Sequence, residues 1–263
     1  MKTIKDFIRI LDRHTFLITI LSLLSTGLCR YFDFRVDIPT ELIGIAVIFP
    51  LVFSISGAYK QREDVLAAFA SLRAHAIALY YAHRDWPRET TLKKSGSKLV
   101  ERLFHALVKY FRNPPDGPEG KANLREVYTV FSAFSENHER LRQVGVPAYE
   151  ISRANQFLSM IMADFERMNN VAHYRPPVSL RAHSRMFLNL FPIIFGPYFA
   201  NLSYPEYPWV GYGIAALYAI VLVSLDNVSD QLENPFDNIG PDDLRLEVVE
   251  DYIEFLQPEQ ERA

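Results

Sequence analysis

The residues best suited to ion chemistry form an acidic turn near the end of the chain. Asp237, Asp242 and Asp243 follow the last apolar stretch, and carboxylate oxygens are the ligands that calcium prefers. The same carboxylates suit a turn that is solvated or paired with basic side chains, which is the interpretation we favour. Residues 226–263 carry twelve Asp and Glu against two Arg, so an acidic tail is expected with or without a metal. We therefore predict no metal site.

No other set of residues predicts catalysis or a cofactor. The seven histidines show no metal-ligand spacing, and Cys29 is the single cysteine, so no intrachain disulfide is expected. Gly120 and Lys121 lack the spacing and the Ser or Thr of a phosphate loop, and no nucleophile elbow is found. A net charge of −3 gives no reason to expect nucleic acid as a partner. We predict that the protein is not an enzyme.

Four apolar stretches predict an all-α integral membrane protein with four transmembrane helices and a cytoplasmic helical bundle. The stretches are 15–29, 42–58, 186–202 and 209–225, each near the lower limit of roughly 17–25 residues for a spanning helix. Pro50 interrupts the second, and Pro192 and Pro197 interrupt the third. Such breaks are tolerated at membrane depth where protein or a water-filled cavity satisfies the backbone. A soluble protein with very apolar helices is the alternative.

Charge placement predicts how the chain is oriented. The connector 201–208 has no Lys or Arg, whereas Lys60 and Arg62 follow the second stretch, so both termini and the long middle should face the cytoplasm. Arg181, His183 and Arg185 precede the third stretch and are expected to contact lipid headgroups.

The same pattern divides the chain into four parts. These are 1–59 with the first two membrane helices, 60–180 as a cytoplasmic helical region, 181–228 with the third and fourth membrane helices, and 229–263 as an acidic tail. Apolar residues recur at helical spacing within the cytoplasmic region, which predicts one buried helix face. They are Val100, Leu103, Phe104, Leu107, Tyr110 and Phe111.

Three segments carry a resemblance to a known family. The run 230–236, which ends in Asn234, Pro235 and Phe236 directly after the last apolar stretch, resembles the bestrophin signature. Residues 42–59 resemble the family's second membrane helix without a gap, and 174–180 is similar to its entry into the third. The chain departs from the family at Ser54, Ile55 and Asp237, and the residues after Tyr59 lack the family's two aromatic residues. It is identified as resembling a distant, prokaryotic-type bestrophin.

This resemblance implies a homopentamer around one central pore, in which the second membrane helices line an apolar neck. Ile45, Phe49 and Phe53 match the family's three neck positions, and their i, i+4, i+8 spacing places them on one helix face. From the residues alone, a stripe that faces lipid or packs on other helices fits as well. Asn234, Pro235 and Phe236 are expected to be structural, ending the helix and docking the tail.

The sequence therefore predicts a pentameric channel in the cell membrane that passes chloride or other small monovalent ions through the neck. Its partners would be further copies of the chain, membrane lipid and small inorganic ions. The alternative is a non-conducting membrane scaffold or sensor that binds a partner through its cytoplasmic helices.

Overall fold

The computed structural model describes residues 10–37, 40–87, 90–113, 117–174, 178–204, 206–238 and 243–256. Within these residues every regular element is a helix, which confirms the prediction of an all-α fold. The described helices, in chain order, are α1 (Arg13–Tyr31), α2 (Thr40–Asp85), α3 (Thr90–Arg112), α4 (Pro118–Gln143), α5 (Ala148–His173), α6 (Val178–Ile194), α7 (Gly196–Asn201), α8 (Trp209–Glu233) and α9 (Val248–Leu256).

The helices belong to two compact units. The first unit takes residues 1–60 and 175–233, and it contains α1, the beginning of α2, α6, α7 and α8. The second takes residues 61–174 and 234–263, and it contains the rest of α2 with α3, α4, α5 and α9. Helix α2 therefore contributes to both units.

Two of the four predicted membrane crossings lie in helices that are long and apolar enough to span a bilayer. Among the described residues these are Ile48–Asp85 of α2 and Trp209–Glu233 of α8, each of which contains an apolar window long enough to cross a membrane. The first predicted stretch lies within α1, and the third is divided between α6 and α7. The total of four crossings stays a prediction.

The break in the third stretch falls at Phe195, between α6 and α7. Because Pro197 has no N–H, it cannot donate to the carbonyl of Ile193 four residues earlier. The hydroxyl of Ser25 on α1 donates to that carbonyl instead, at 2.7 Å. Gly196 permits this approach, since an added Cβ would lie 2.2 Å from the Ser25 Oγ. A neighbouring helix thus satisfies the backbone that the proline frees.

The second unit has the core that the helical spacing predicts. All six apolar residues of the predicted face on α3 are at most 5% exposed, so that prediction is confirmed. They pack with Phe69 of α2, Phe134 of α4 and Phe165 of α5. Burying a large apolar side chain contributes roughly 1.5–3 kcal/mol, so this aromatic cluster is a main source of stability for the unit.

Candidate functional site

The candidate site in the first unit is an exposed apolar stripe on α2. Ile45, Phe49 and Phe53 lie on one face of the helix, and their exposed fractions are 63%, 63% and 60%. The rings of Phe49 and Phe53 are 5.0 Å apart and meet edge to face at 75°. Ile48 and Val52 extend the same exposed surface. The sequence pattern alone places these side chains on one face, and the structure adds that the face is uncovered within the unit.

The opposite face of α2 fixes which way the stripe points. Leu51 is buried against Leu188 of α6 and Leu222 of α8. One turn further on, the Ser54 hydroxyl lies 3.3 Å from the Ser229 hydroxyl of α8. A rotation of α2 that covered Phe49 would expose Leu51 and break this polar contact. Packing therefore holds the stripe outward.

The stripe changes from apolar to polar along the helix axis. Beyond Phe53, the same side of α2 continues with Ser56, Tyr59 and Lys60, all exposed. If copies of this face surround an axis, they form an apolar constriction. Along the axis, it is followed by a ring of polar and positively charged side chains. That order suits a narrow passage for hydrated ions, because a short apolar segment is the costly part of such a path.

The second candidate feature is the Asn234, Pro235 and Phe236 motif, which directly follows the end of α8 at Glu233. Phe236 is only 3% exposed, and its ring stacks on Phe111 with centroids 4.6 Å apart and an angle of 14°. Asn234 donates from Nδ2 to the Asp237 carboxylate at 2.8 Å. The motif thus turns the chain and inserts an aromatic anchor into the core of the second unit.

Arg112 binds the tail that follows this motif, and we call this set of contacts the Arg112 clasp. Its Nη1 donates to the carbonyl of Phe236 at 2.7 Å, and its Nη2 donates to the carbonyl of Leu244 at 3.2 Å. Its Nε and Nη2 also donate to the two oxygens of Glu247, each at 2.7 Å. The backbone N–H of Leu244 donates to the carbonyl of Pro235 at 2.8 Å, which closes the turn. One guanidinium therefore binds both ends of the acidic turn.

The contacts with Arg112 also lower the pKa of Glu247. Partial burial acts to raise the pKa of its carboxyl, but the hydrogen bond and charge of Arg112 outweigh burial, so the pKa lies below its usual value. Glu247 is ionised at neutral pH, as an ordinary glutamate is, and the lowered pKa keeps it ionised at more acidic pH in a bidentate ion pair, the stronger geometry for such contacts.

The acidic turn itself lies only partly within the described residues, because Asp242 falls outside them. Asp237 accepts a hydrogen bond from Asn234. In the part of the chain that the structure describes, no group of three His, Cys, Asp or Glu side chains could hold a metal ion. The preference for a solvated or salt-bridged turn over a calcium site stays a prediction.

Sequence reasoning missed two interactions between distant helices, the ion pairs of Arg185 and the stacking of two histidines. Arg185, which we expected at lipid headgroups, forms ion pairs with Asp226, at 3.5 Å, and with Asp230, both on α8. In the second unit, His83 of α2 stacks on His138 of α4 with ring centroids 5.1 Å apart. Neither pair has a signal in local spacing, because each joins residues more than forty positions apart.

Comparison with solved structures places the fold. A bacterial bestrophin homolog from Klebsiella pneumoniae, solved with a point mutation, superposes with a TM-score of 0.75 at 16% identity, covering 96% of this chain and 97% of that chain. A second variant of that homolog gives 0.75 at 15% identity, covering 92% and 97%. A structure described as a membrane protein gives 0.76 at 15% identity, covering 92% and 95%. No family model and no curated protein matches the sequence. The chain has the fold of these proteins over nearly its whole length.

Proposed function

We propose that this chain is a distant member of the bestrophin family and forms one subunit of an oligomeric channel for chloride or other small monovalent ions. The observation that carries the proposal is the outward apolar stripe of Ile45, Phe49 and Phe53 on α2, in a chain that shares its fold with a bacterial bestrophin homolog. In a pentamer each of these residues would supply one of five side chains to a ring around the axis.

Such rings have two physical consequences. A narrow apolar constriction excludes water when it closes, which makes it costly for a hydrated ion to pass. The edges of phenyl rings carry partial positive charge, so Phe49 and Phe53 would ease the passage of an anion that has lost part of its hydration.

Assembly explains why the stripe is exposed within a single chain. Exposed apolar surface of this kind is typical of contacts with lipid or with another protein. The other exposed apolar side chains of the first unit, such as Phe16 and Leu17 on α1, suit the lipid side. We assign the α2 stripe to the pore, with both termini and the second unit on the cytoplasmic side.

The test is ion flux from proteoliposomes under separate chloride and sodium gradients. The variant Ile45→Ala, Phe49→Ala and Phe53→Ala should raise flux severalfold, because it widens the constriction at all three levels. The matched control is Phe16→Ala with Leu17→Ala, which removes equally exposed apolar side chains from α1 and should leave flux unchanged. Equal flux from the wild type and the α2 variant would refute the neck assignment.

A non-conducting scaffold or sensor is the second candidate. The sequence favours it where the residues after Tyr59 depart from the aromatic pattern usual in the family. A purified oligomer that gives no flux in the wild type or in the α2 variant would support the scaffold over the channel.

A further inference from the structure

An apolar groove runs along α1 in the first unit, on a different surface from the α2 stripe. It holds about 420 Å³, which lies within the range of roughly 300–1,000 Å³ for small-molecule sites. Its lining residues are Ile20, Leu23, Leu24, Gly27, Leu28 and Tyr212. All of them except Tyr212 present only hydrocarbon, and a dry groove of this kind binds water poorly.

Gly27 keeps the middle of the groove open. A Cβ placed there would lie 3.6 Å from the hydroxyl of Tyr212 on α8, which is ordinary van der Waals contact. Alanine therefore fits without strain, but a longer side chain at this position has to enter the groove. The groove lies between α1 and α8, and the size of the side chain at position 27 determines how much of it stays open.

The groove is short enough to lie within one leaflet of a bilayer. From Ile20 to Leu28 the helix rises about 12 Å, taking about 1.5 Å per residue, which fits within one half of a hydrocarbon core of about 30 Å. The exposed apolar residues Ile20, Leu24 and Leu28 follow the groove along α1. An extended acyl chain lying along the bilayer normal fits this path.

The end of the groove carries groups typical of the membrane interface. Arg30 lies half-buried two residues beyond Leu28, and its Nη1 donates to the carbonyl of Pro208 at 3.1 Å. Tyr31 and Trp209 are exposed at the same end, and aromatic residues concentrate at headgroup level. A guanidinium has five N–H donors in a planar fork that suits phosphate. The Arg30 guanidinium thus follows the apolar lining along α1.

We propose that the groove binds one acyl chain of an anionic phospholipid, whose phosphate contacts Arg30. The proposal rests on the membrane location given above, but not on ion conduction. The ligand class follows from the apolar lining of the groove and the Arg30 guanidinium beyond its end. A neutral hydrocarbon ligand would have no charge to pair with Arg30, and a soluble anion would have no hydrocarbon to fill the groove.

Native mass spectrometry of the detergent-solubilised protein tests this with phosphatidylglycerol and phosphatidylcholine as probes. The wild type should retain phosphatidylglycerol at least tenfold more tightly than phosphatidylcholine, because both carry a phosphate but the choline cation of the second offsets its attraction to Arg30. Gly27→Leu should abolish retention of both lipids, because its side chain fills the groove. Gly213→Leu on α8 is the matched control, since a Cβ at Gly213 meets open space, and it should bind as the wild type does.

Arg30→Gln leaves the groove intact and should remove the preference for phosphatidylglycerol, whereas Arg30→Lys should retain most of it. These variants keep the proposal open to refutation if Gly27→Leu fails to fold. Wild-type retention by Gly27→Leu would overturn the groove as the site. An unchanged lipid preference in Arg30→Gln would overturn the phosphate contact. Unchanged lipid binding with an altered oligomeric mass in Gly27→Leu would show that a second copy of the chain, not lipid, occupies the groove.

Discussion

Acidification should destabilise the second unit through His83, which lies in the core on α2. The residue is 0% exposed, its Nδ1 lies 2.8 Å from the carbonyl of Leu79, and its ring stacks on His138 at an angle of 19°. The carbonyl requires a proton on Nδ1, so Nε2 of the neutral ring is an acceptor, and this atom is buried without a hydrogen-bond partner. A second proton would place an unpaired charge in the core.

Burial, with a smaller effect from the nearby charge of His138, lowers the pKa of His83 from 6.5 to about 4. Burial also lowers the pKa of His138, against the opposing effect of the hydrogen bond that its Nδ1–H donates to the Oδ1 of Asn155. The unfolded chain therefore binds protons that the folded chain does not. Stability is fully present above pH 6.5 and is lost as the pH falls towards 4.

The magnitude follows from the difference between the two pKa values of His83. Each unit corresponds to about 1.36 kcal/mol, so a fall from 6.5 to about 4 corresponds to a total loss of about 3 kcal/mol. About 2 kcal/mol of this is lost between pH 7.5 and pH 5. His138 adds to the loss in the same direction.

The assay is unfolding of the full chain in detergent at pH 7.5 and pH 5, followed by fluorescence. Trp209→Phe leaves Trp86, which packs against the core of the second unit, as the single fluorophore. His83→Asn keeps an N–H donor for the carbonyl of Leu79, and it should flatten the pH dependence by about 2 kcal/mol. His105→Asn, at an exposed histidine, is the control and should keep the wild-type dependence. An undiminished pH dependence in His83→Asn would refute the reasoning.

Three further outcomes follow from the packing. Phe236→Ala should lower the free energy of unfolding by about 3–5 kcal/mol through loss of a buried ring, whereas Phe255→Ala, at a position 71% exposed, should leave it nearly unchanged; equal effects would contradict the anchor. Arg112→Met should release the tail, and protease should then cut the segment beyond residue 236 faster than in the wild type; an unchanged cleavage rate would contradict the clasp. Ser25→Ala should cost about 1–3 kcal/mol in thermal unfolding, because it leaves the carbonyl of Ile193 unpaired; no cost would mean that another donor replaces the serine.

Local periodicity predicted the parts of the fold that depend on neighbours along one helix. The buried face of α3 follows from apolar residues at helical spacing, and the shared face of Ile45, Phe49 and Phe53 follows in the same way. Pro192 and Pro197 likewise predicted an interrupted third stretch. The break at Phe195 fits that expectation, since a missing N–H is a property of the residue itself.

Periodicity along one helix does not predict contacts between distant segments of the chain. The sequence does not reveal that Ser25 donates to Ile193, 168 positions away. It also does not reveal that Arg112 binds the tail more than 120 positions later, or that His83 meets His138. Each contact depends on how helices pack side by side, and a single sequence carries no periodic signal for that. Family resemblance points to the motif at Phe236. Helical spacing places its stacking partner Phe111 on the buried face of α3, but it does not predict that the two rings meet.

Ion flux from proteoliposomes that contain the purified oligomer tests the central claim most directly. We expect chloride or sodium flux above that of protein-free liposomes, raised further by alanine at Ile45, Phe49 and Phe53 and unchanged by alanine at Phe16 and Leu17. A folded oligomer whose flux equals that of protein-free liposomes, both as wild type and with the α2 variant, would contradict the channel.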